Sequence, residues 1–227
     1  MTVVWSLSHQ GIVPEGDDWL GPDERGVQAA FRFPKRRSEW RLGRLTAKRL
    51  LSELVGVKPI ERIEIIAAQD GAPEAIVDGR RLDLSLSISH RSGMAVCAVS
   101  PHARIGCDLE AIEMRTQRFV DDFFTESERS ALDAAPLPSR SRHVALIWSA
   151  KESALKALRV GLRRDTRNAE VVIEDPCASG DLWSSFLVVV SPEGRRLVGW
   201  WRQIEGRVLT MASEDVALGI AGHDEQR

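Results

Sequence analysis

The sequence predicts an α+β protein made of two α/β halves that repeat one order of elements. Three observations predict it. Stretches with a two-residue hydrophobic period and stretches with a helical period follow each other as strand, helices, strands, and then again as strand, helices, strands. Ser100-Pro101 breaks the run between the two rounds, so the halves are 1–103 and 104–227. Hydrophobic residues make up 43% and charged residues 28% of 227 residues, the balance of a globular chain that can bury its cores without disulfide or metal staples.

Residues 2–7 (TVVWSL) form a short strand, and 12–22, with Gly, Pro and Asp, a loop. A short helix covers about 23–33. A longer one covers about 38–55, closed by Gly56 and then Pro59. Residues 60–68 alternate as a strand, followed by turn signals at 69–73 and at Asp78-Gly79. In 84–90 (LSLSISH) Leu84, Leu86 and Ile88 share one face. The apolar run 94–99 (MAVCAV) suits a buried strand, and 104–109 is the next. Thr125-Glu126-Ser127-Glu128 has the form of a capping box opening a helix to about Ala134, which Pro136 and Pro138 end. The span 139–158 is strongly helical, with Gly161 just past its end. Residues 169–174, 183–190, 195–203 and 207–213 are strands, the last two a hairpin across Glu205-Gly206, and the tail GHDEQR is frayed. No sequence repeat links the halves, so duplication rests on element order alone.

Several function classes are excluded or disfavoured. Lys plus Arg number 31 against 33 Asp plus Glu, a net charge of −2, so no global positive charge points to nucleic acid and any anion site is a local cluster. Cys97, Cys107 and Cys177 form no close pair, which argues against a disulfide framework and for a reducing, cytoplasmic home. The N-terminal residues lack the basic leader and apolar run of a signal peptide, and no apolar stretch is long enough to span a membrane. Neither phosphate-binding glycine template, G-x-x-x-x-G-K-[ST] or G-x-G-x-x-G, occurs.

Four constellations carry possible chemistry. Asp108 and Glu110 lie at i and i+2 of a strand, so both carboxylates face one way. They are either a solvated strand end or hard oxygen ligands of the kind magnesium shares with substrate phosphates. Trp148, Glu152 and Lys156 recur at i, i+4, i+8 of a helix with Lys151 beside them, a stabilising Glu–Lys pair or a carboxylate at a core edge that needs a partner. Arg37, Arg41, Arg44 and Lys48 form a cationic stripe, either a solvated face or a phosphate clamp. Gly43 within that helix costs about 1 kcal/mol relative to alanine and hints at a close approach. Ser89-His90 ends a strand. Adjacent strand residues point to opposite faces, so a Ser–His dyad is disfavoured, leaving anion contact or a structural histidine.

The order of these segments is more specific than any one of them. S-x-S-H at 87–90, A-V-C-A-V-S at 95–100, I-G-C-D-L-E at 105–110, F-F-T-x-x-E at 123–128 and W-S-A-K-E-S-x-x-K at 148–156 together resemble the 4'-phosphopantetheinyl transferases of the larger, single-chain Sfp-like group. W-R-L-G-R-x-x-A-K at 40–48 is similar to that group's coenzyme A-binding helix. The resemblance implies two similar halves about a pseudo-twofold axis with coenzyme A in the cleft between them. It implies transfer of 4'-phosphopantetheine from coenzyme A to a serine of an acyl or peptidyl carrier protein, a holo-acyl-carrier-protein synthase reaction dependent on Mg2+. Asp108, Glu110 and Glu152 match the metal ligands, Glu152 also the candidate base. Lys156 and Lys151 match lysines near the phosphates, Ser89 and His90 the 3'-phosphate segment, and Arg44, Lys48 and Arg41 the basic nucleotide-facing helix. Gly71-Ala72-Pro73 departs from the pattern, which often has a basic residue where Ala72 stands. A chain with both halves is expected to act as a monomer, with neither nucleic acid nor membrane as partner. Residues 111–124 are a platform for an acidic carrier.

Two rivals remain. A magnesium nuclease lacks its E-x-K here and would want positive charge. A non-catalytic coenzyme A or carrier-protein binder would be favoured by loss of Asp108, Glu110, Glu152 or Lys156, all of which are present.

Overall fold

The computed structural model describes residues 2–173, 183–214 and 219–224. It is an α+β structure of two compact units, Met1–Ala103 with Ala217–Arg227, and Arg104–Val216.

The first unit opens with β1 (Thr2–His9), then α1 (Pro22–Ala29) and the long α2 (Pro34–Val55). A hairpin-rich region follows: β2 (Ile63–Ala67), β3 (Pro73–Val77), β4 (Arg80–Arg81), β5 (Ser85–Arg91) and β6 (Met94–Ser100). β2, β3 and β4 form one sheet. A four-stranded sheet has the order β12-β1-β6-β5, where β12 is Gly219–Asp224. The core gathers Ala47, Leu50 and Leu51 of α2 against Ile63, Ile65, Leu86, Cys97 and Val99, which is what the apolar alternation of the strands demands.

The second unit has β7 (Ile105–Ala111), α3 (Gln117–Phe123), α4 (Glu126–Ala134), α5 (Arg140–Ala157), β8 (Ala169–Ile173), β9 (Ser184–Val190), β10 (Arg195–Ile204) and β11 (Arg207–Ser213). Its sheet has the order β7-β11-β10-β9-β8. α5 is buried along most of its length, with Leu146, Ala150, Ala154 and Leu155 in one core with Phe186, Val188, Leu197 and Trp201.

Four expectations need correction. α2 starts at Pro34 rather than Ser38, because proline at the first helical position has the right φ and no N–H to lose. β3 was hidden by its initial proline and the turn signals around it. α3 was missed although Thr116 caps it, accepting from Phe119 N at 3.2 Å. The tail is not frayed over 222–224: β12 runs parallel to β1, Thr2 opposite Gly219 through Leu7 opposite Asp224, so this strand completes the first unit rather than the second. Residue 174 of one predicted strand, Cys177 and 225–227 lie outside the described residues. Cys97 and Cys107 are buried and form no disulfide among the described residues. No helix among the described residues is long and apolar enough to cross a membrane.

Candidate functional site

In the second unit the absence of a side chain at one position sets the site. A Cβ on Gly106 would lie 1.8 Å from the carbonyl oxygen of Ser153 and 2.6 Å from the nitrogen of Ala157, so only glycine lets α5 rest directly on β7. That contact brings Lys156 Nζ to 2.7 Å from Asp108 Oδ1 and 3.2 Å from the carbonyl of Cys107. Burial is the largest single influence on the lysine and opposes its charge, but Asp108, Cys107 and Glu152 together outweigh it and raise its pKa. Glu110, two residues on, accepts from Arg115 Nη2 at 3.1 Å, and Arg115 also reaches Glu113 at 3.2 Å.

Glu152 is half-buried and makes neither a hydrogen bond nor an ion pair among the described residues. Its pKa is pushed up to about 7, chiefly by burial. Lys156 opposes that shift, and the negative charge of Asp108 and Glu110 adds to it. Among the described residues no group of three His, Cys, Asp or Glu side chains is drawn together as a closed metal site. The donor set still suits Mg2+. An unpaired carboxylate under the charge of two others gains from a cation, and Mg2+ takes one or two carboxylates and leaves the rest of its shell to water and phosphate oxygens.

The motif's remaining side chains serve the scaffold. Trp148 packs edge-to-face on Phe119 and Phe123, ring centroids 5.0 and 5.1 Å away, and so seats α3 on α5. Lys151 is 0% exposed. Its ammonium sits 2.7 Å from Glu128 and donates to the carbonyls of Phe123 and Thr166 at 3.2 and 3.0 Å. The expectation of Lys151 near phosphates is corrected: successive helical residues turn about 100°, which sends it into the core while Glu152 stays at the surface of the site.

In the first unit a cavity of about 180 Å³ is lined by Trp40, Gly43 and Arg44 of α2, Gly71 and Pro73 before and in β3, and Ile88 and His90 of β5. The close approach at Gly43 is to Ile88, whose Cγ2 would lie 3.0 Å from a Cβ there. Arg44 stacks on Trp40, 5.0 Å from the ring centroid, and its buried Nε has no hydrogen-bond partner among the described residues. Burial lowers its pKa, with Glu24 opposing. His90 Nδ1 lies 4.0 Å from Glu39. Ser89 is buried on the opposite face of β5 from His90 and does not line the cavity.

Two more residues of the predicted stripe face inward. Arg41 binds Asp17, Gln28 and the carbonyls of Pro14 and Gly16, pinning the loop before α1. Lys48 is 0% exposed, 2.5 Å from Glu24 Oε2. Neither presents a free charge on a helix face, because α2 is covered there by α1 and its preceding loop. Sequence reasoning gave no role to Ser149 or Thr210. Glu24 escaped notice because its helix has Gly21 as N-cap, which removes the Ser/Thr signature of a capping box.

In this arrangement a glycine-seated helix brings a glutamate and a lysine to a strand with two carboxylates, a donor set that suits a cation beside phosphate oxygens. Residues 104–180 match the family model of the 4'-phosphopantetheinyl transferase superfamily. The 4'-phosphopantetheinyl transferase HetI of Nostoc sp. is 28% identical over 149 residues, 64% of this chain and 62% of that one. The 4'-phosphopantetheinyl transferase gsp of Aneurinibacillus migulanus is 30% identical over 137 residues, 60% and 55%. The L-aminoadipate-semialdehyde dehydrogenase-phosphopantetheinyl transferase of Mus musculus is 26% identical over 188 residues, 74% and 59%. The chain thus spans less than two thirds of these curated relatives. A holo-(acyl-carrier-protein) synthase from Bacillus anthracis in complex with CoA (3',5'-ADP) aligns with TM-score 0.36 and 24% identity over 43% of this chain and 92% of that one.

Proposed function

We propose that the protein transfers 4'-phosphopantetheine from coenzyme A to a serine hydroxyl of an acyl or peptidyl carrier protein, releasing 3',5'-ADP, with Mg2+ as cofactor. The observation that carries this reading is Glu152: a half-buried carboxylate with no hydrogen bond or ion pair among the described residues, under the charge of Asp108 and Glu110, on the helix that delivers Lys156 to Asp108. The superfamily match over 104–180 covers the same residues.

Asp108, Glu110 and Glu152 would hold Mg2+, which when bound neutralises diphosphate charge and polarises the phosphorus under attack. The serine oxygen bonds to the β-phosphorus as the bond to the bridging oxygen of 3',5'-ADP breaks. Glu152, with its proton affinity already raised, is suited to take the hydroxyl proton. Lys156 supplies fixed positive charge for the phosphates. In the first unit Arg44 and His90 suit a phosphate of the nucleotide, and Trp40 with Arg44 offers a stacking surface for its base. Before and on α3, Met114 is 91% exposed and Arg118 is exposed, apolar and basic groups fit for an acidic carrier helix. A cytoplasmic, monomeric enzyme is part of the same proposal.

The test is mass spectrometry of an apo carrier protein incubated with this protein, coenzyme A and Mg2+. A mass gain of one phosphopantetheine, abolished by EDTA and lowered about 10³-fold in rate by Glu152→Ala, is expected. Coenzyme A binding without transfer to any of several fatty-acid and peptide-synthetase carriers would replace the transferase with a binder.

A further inference from the structure

Both oxygens of Asp108 are held. Oδ1 accepts from Lys156, and Oδ2 accepts from Ser149 Oγ at 2.9 Å. Ser149 Oγ in turn lies 2.9 Å from Thr210 Oγ1, and Thr210 Oγ1 is also 2.9 Å from the carbonyl oxygen of Ser149. Each hydroxyl has one proton. Ser149 gives its proton to Asp108, so toward Thr210 it only accepts, and the threonine proton is shared between the hydroxyl and carbonyl oxygens of Ser149. The chain therefore has one direction: Thr210 to Ser149 to Asp108, ending on a carboxylate.

The placement follows from the sheet. Thr210 on β11 stands directly opposite Asp108 on β7 in the antiparallel register, so the two side chains share a face, and α5 lays Ser149 between them. Ser149 and Thr210 are both 0% exposed, so neither touches a substrate or a metal ion. Thr210 lies outside every segment that carries the family resemblance and outside the matched residues 104–180.

We propose that Thr210 and Ser149 are positioning residues for divalent-cation binding: their relay fixes the rotamer of Asp108 and so the direction of the lone pairs left for the metal. This rests on the metal-dependent reading above. Outer partners of metal-binding carboxylates commonly set affinity by 10- to 100-fold. Thr210→Val removes the hydroxyl while keeping the shape, Ser149→Ala removes the donor to Asp108, and Thr210→Ser keeps the relay.

The experiment measures Mn2+ binding by electron paramagnetic resonance of the free ion, with and without coenzyme A, alongside thermal unfolding in EDTA. Thr210→Val and Ser149→Ala are expected to weaken Mn2+ binding about 10- to 100-fold while Thr210→Ser stays within about threefold of the parent. Parent-like Mn2+ affinity in Thr210→Val, or a loss that follows the fall in unfolding temperature and is not rescued by Thr210→Ser, overturns the relay and leaves the transferase reading intact. A parent protein that binds no Mn2+ even with coenzyme A overturns the metal-dependent reading itself, and the relay with it.

Discussion

In the first unit Glu24 Oε2 accepts the N–H of Gly21 at 3.0 Å and the ammonium of Lys48 at 2.5 Å, while Oε1 accepts the N–H of Ile65 at 3.1 Å. In the second unit Glu128 does the same with Thr125 at 2.8 Å, Lys151 at 2.7 Å and Val171 at 2.8 Å. Each glutamate caps its own short helix, receives a lysine from the long helix and ties down the first strand after it. Each lysine also lies 5.6 Å from an aromatic ring, Trp19 in one unit and Phe124 in the other. One residue after the lysine the units part: Arg49 follows Lys48, Glu152 follows Lys151. Five residues after it the charge is reversed again, Glu53 against Lys156. The same buried clamp thus supports two different helix faces, and only the second gathers acid and base over a carboxylate-bearing strand. Lys151 is locked into the scaffold by its clamp, and the proposed chemistry rests on Glu152 and Lys156, although all three sit in one motif.

Breaking the clamps is the largest test of this comparison. Lys48→Met and Lys151→Met each leave a buried carboxylate without its cation and should each cost about 3 to 5 kcal/mol in urea unfolding. Lys151→Met should cost about 1 kcal/mol more, because the carbonyl of Thr166 also loses its donor. Equal and small losses at both positions would show that the ion pairs are incidental. At a temperature where it stays folded, Lys151→Met should keep transfer within about tenfold of the parent, far from the loss expected at Glu152. A folded Lys151→Met with a loss of about 10³-fold would return that lysine to the phosphates.

The two glycines at helix–strand contacts, Gly106 on β7 and Gly43 on α2, give a smaller contrast. At Gly106 an added Cβ meets backbone atoms, which cannot swing aside. Gly106→Ala should cost about 3 kcal/mol and lift α5 from β7, weakening Mn2+ binding as Glu152 and Lys156 leave Asp108. At Gly43 the Cβ would meet the tip of Ile88 at 3.0 Å, a side chain that can shift, and alanine recovers helix propensity. Gly43→Ala should change stability by no more than about 1 kcal/mol. A severe loss at Gly43 would mean that α2 is seated as tightly on its sheet as α5 is.

Much of this was legible in the sequence wherever a local rule decided the outcome. The strict alternation of 84–90 and the capping box at Thr125 became β5 and the start of α4 because period and cap chemistry act within a few residues. The acid pair on β7 and the helix carrying Glu152 and Lys156 were legible as segments. What was not legible was rotation and depth. Arg41 and Lys48 fall on one helical face with Arg37 and Arg44, and nothing local says that α1 and its preceding loop cover two of the four. Thr210 lies more than 50 residues beyond the last motif, and only strand register places it opposite Asp108. β12 was illegible because its partner, β1, is at the other end of the chain.

The smallest effect concerns an extension found on the second clamp. Asp165 accepts from the backbone N–H of Arg167 at 2.9 Å, capping the turn whose Thr166 carbonyl holds Lys151. The Arg167 side chain, then its backbone N–H, hold the Asp165 carboxyl at about 2, below its ordinary 3.8. A carboxylate whose folded pKa is depressed stabilises the fold fully above its ordinary pKa, and that contribution disappears as pH falls through the folded value. Acidification from pH 5 toward pH 2 should therefore remove it between about 4 and 2. The group is exposed, so salt and water screen it and the change is modest. Asp165→Asn keeps a cap while deleting the charge, and its unfolding temperature should fall less than the parent's over that pH window. Parallel pH profiles for parent and variant would mean that the turn is held by the Lys151 contact alone, leaving the second clamp no more elaborate than the first.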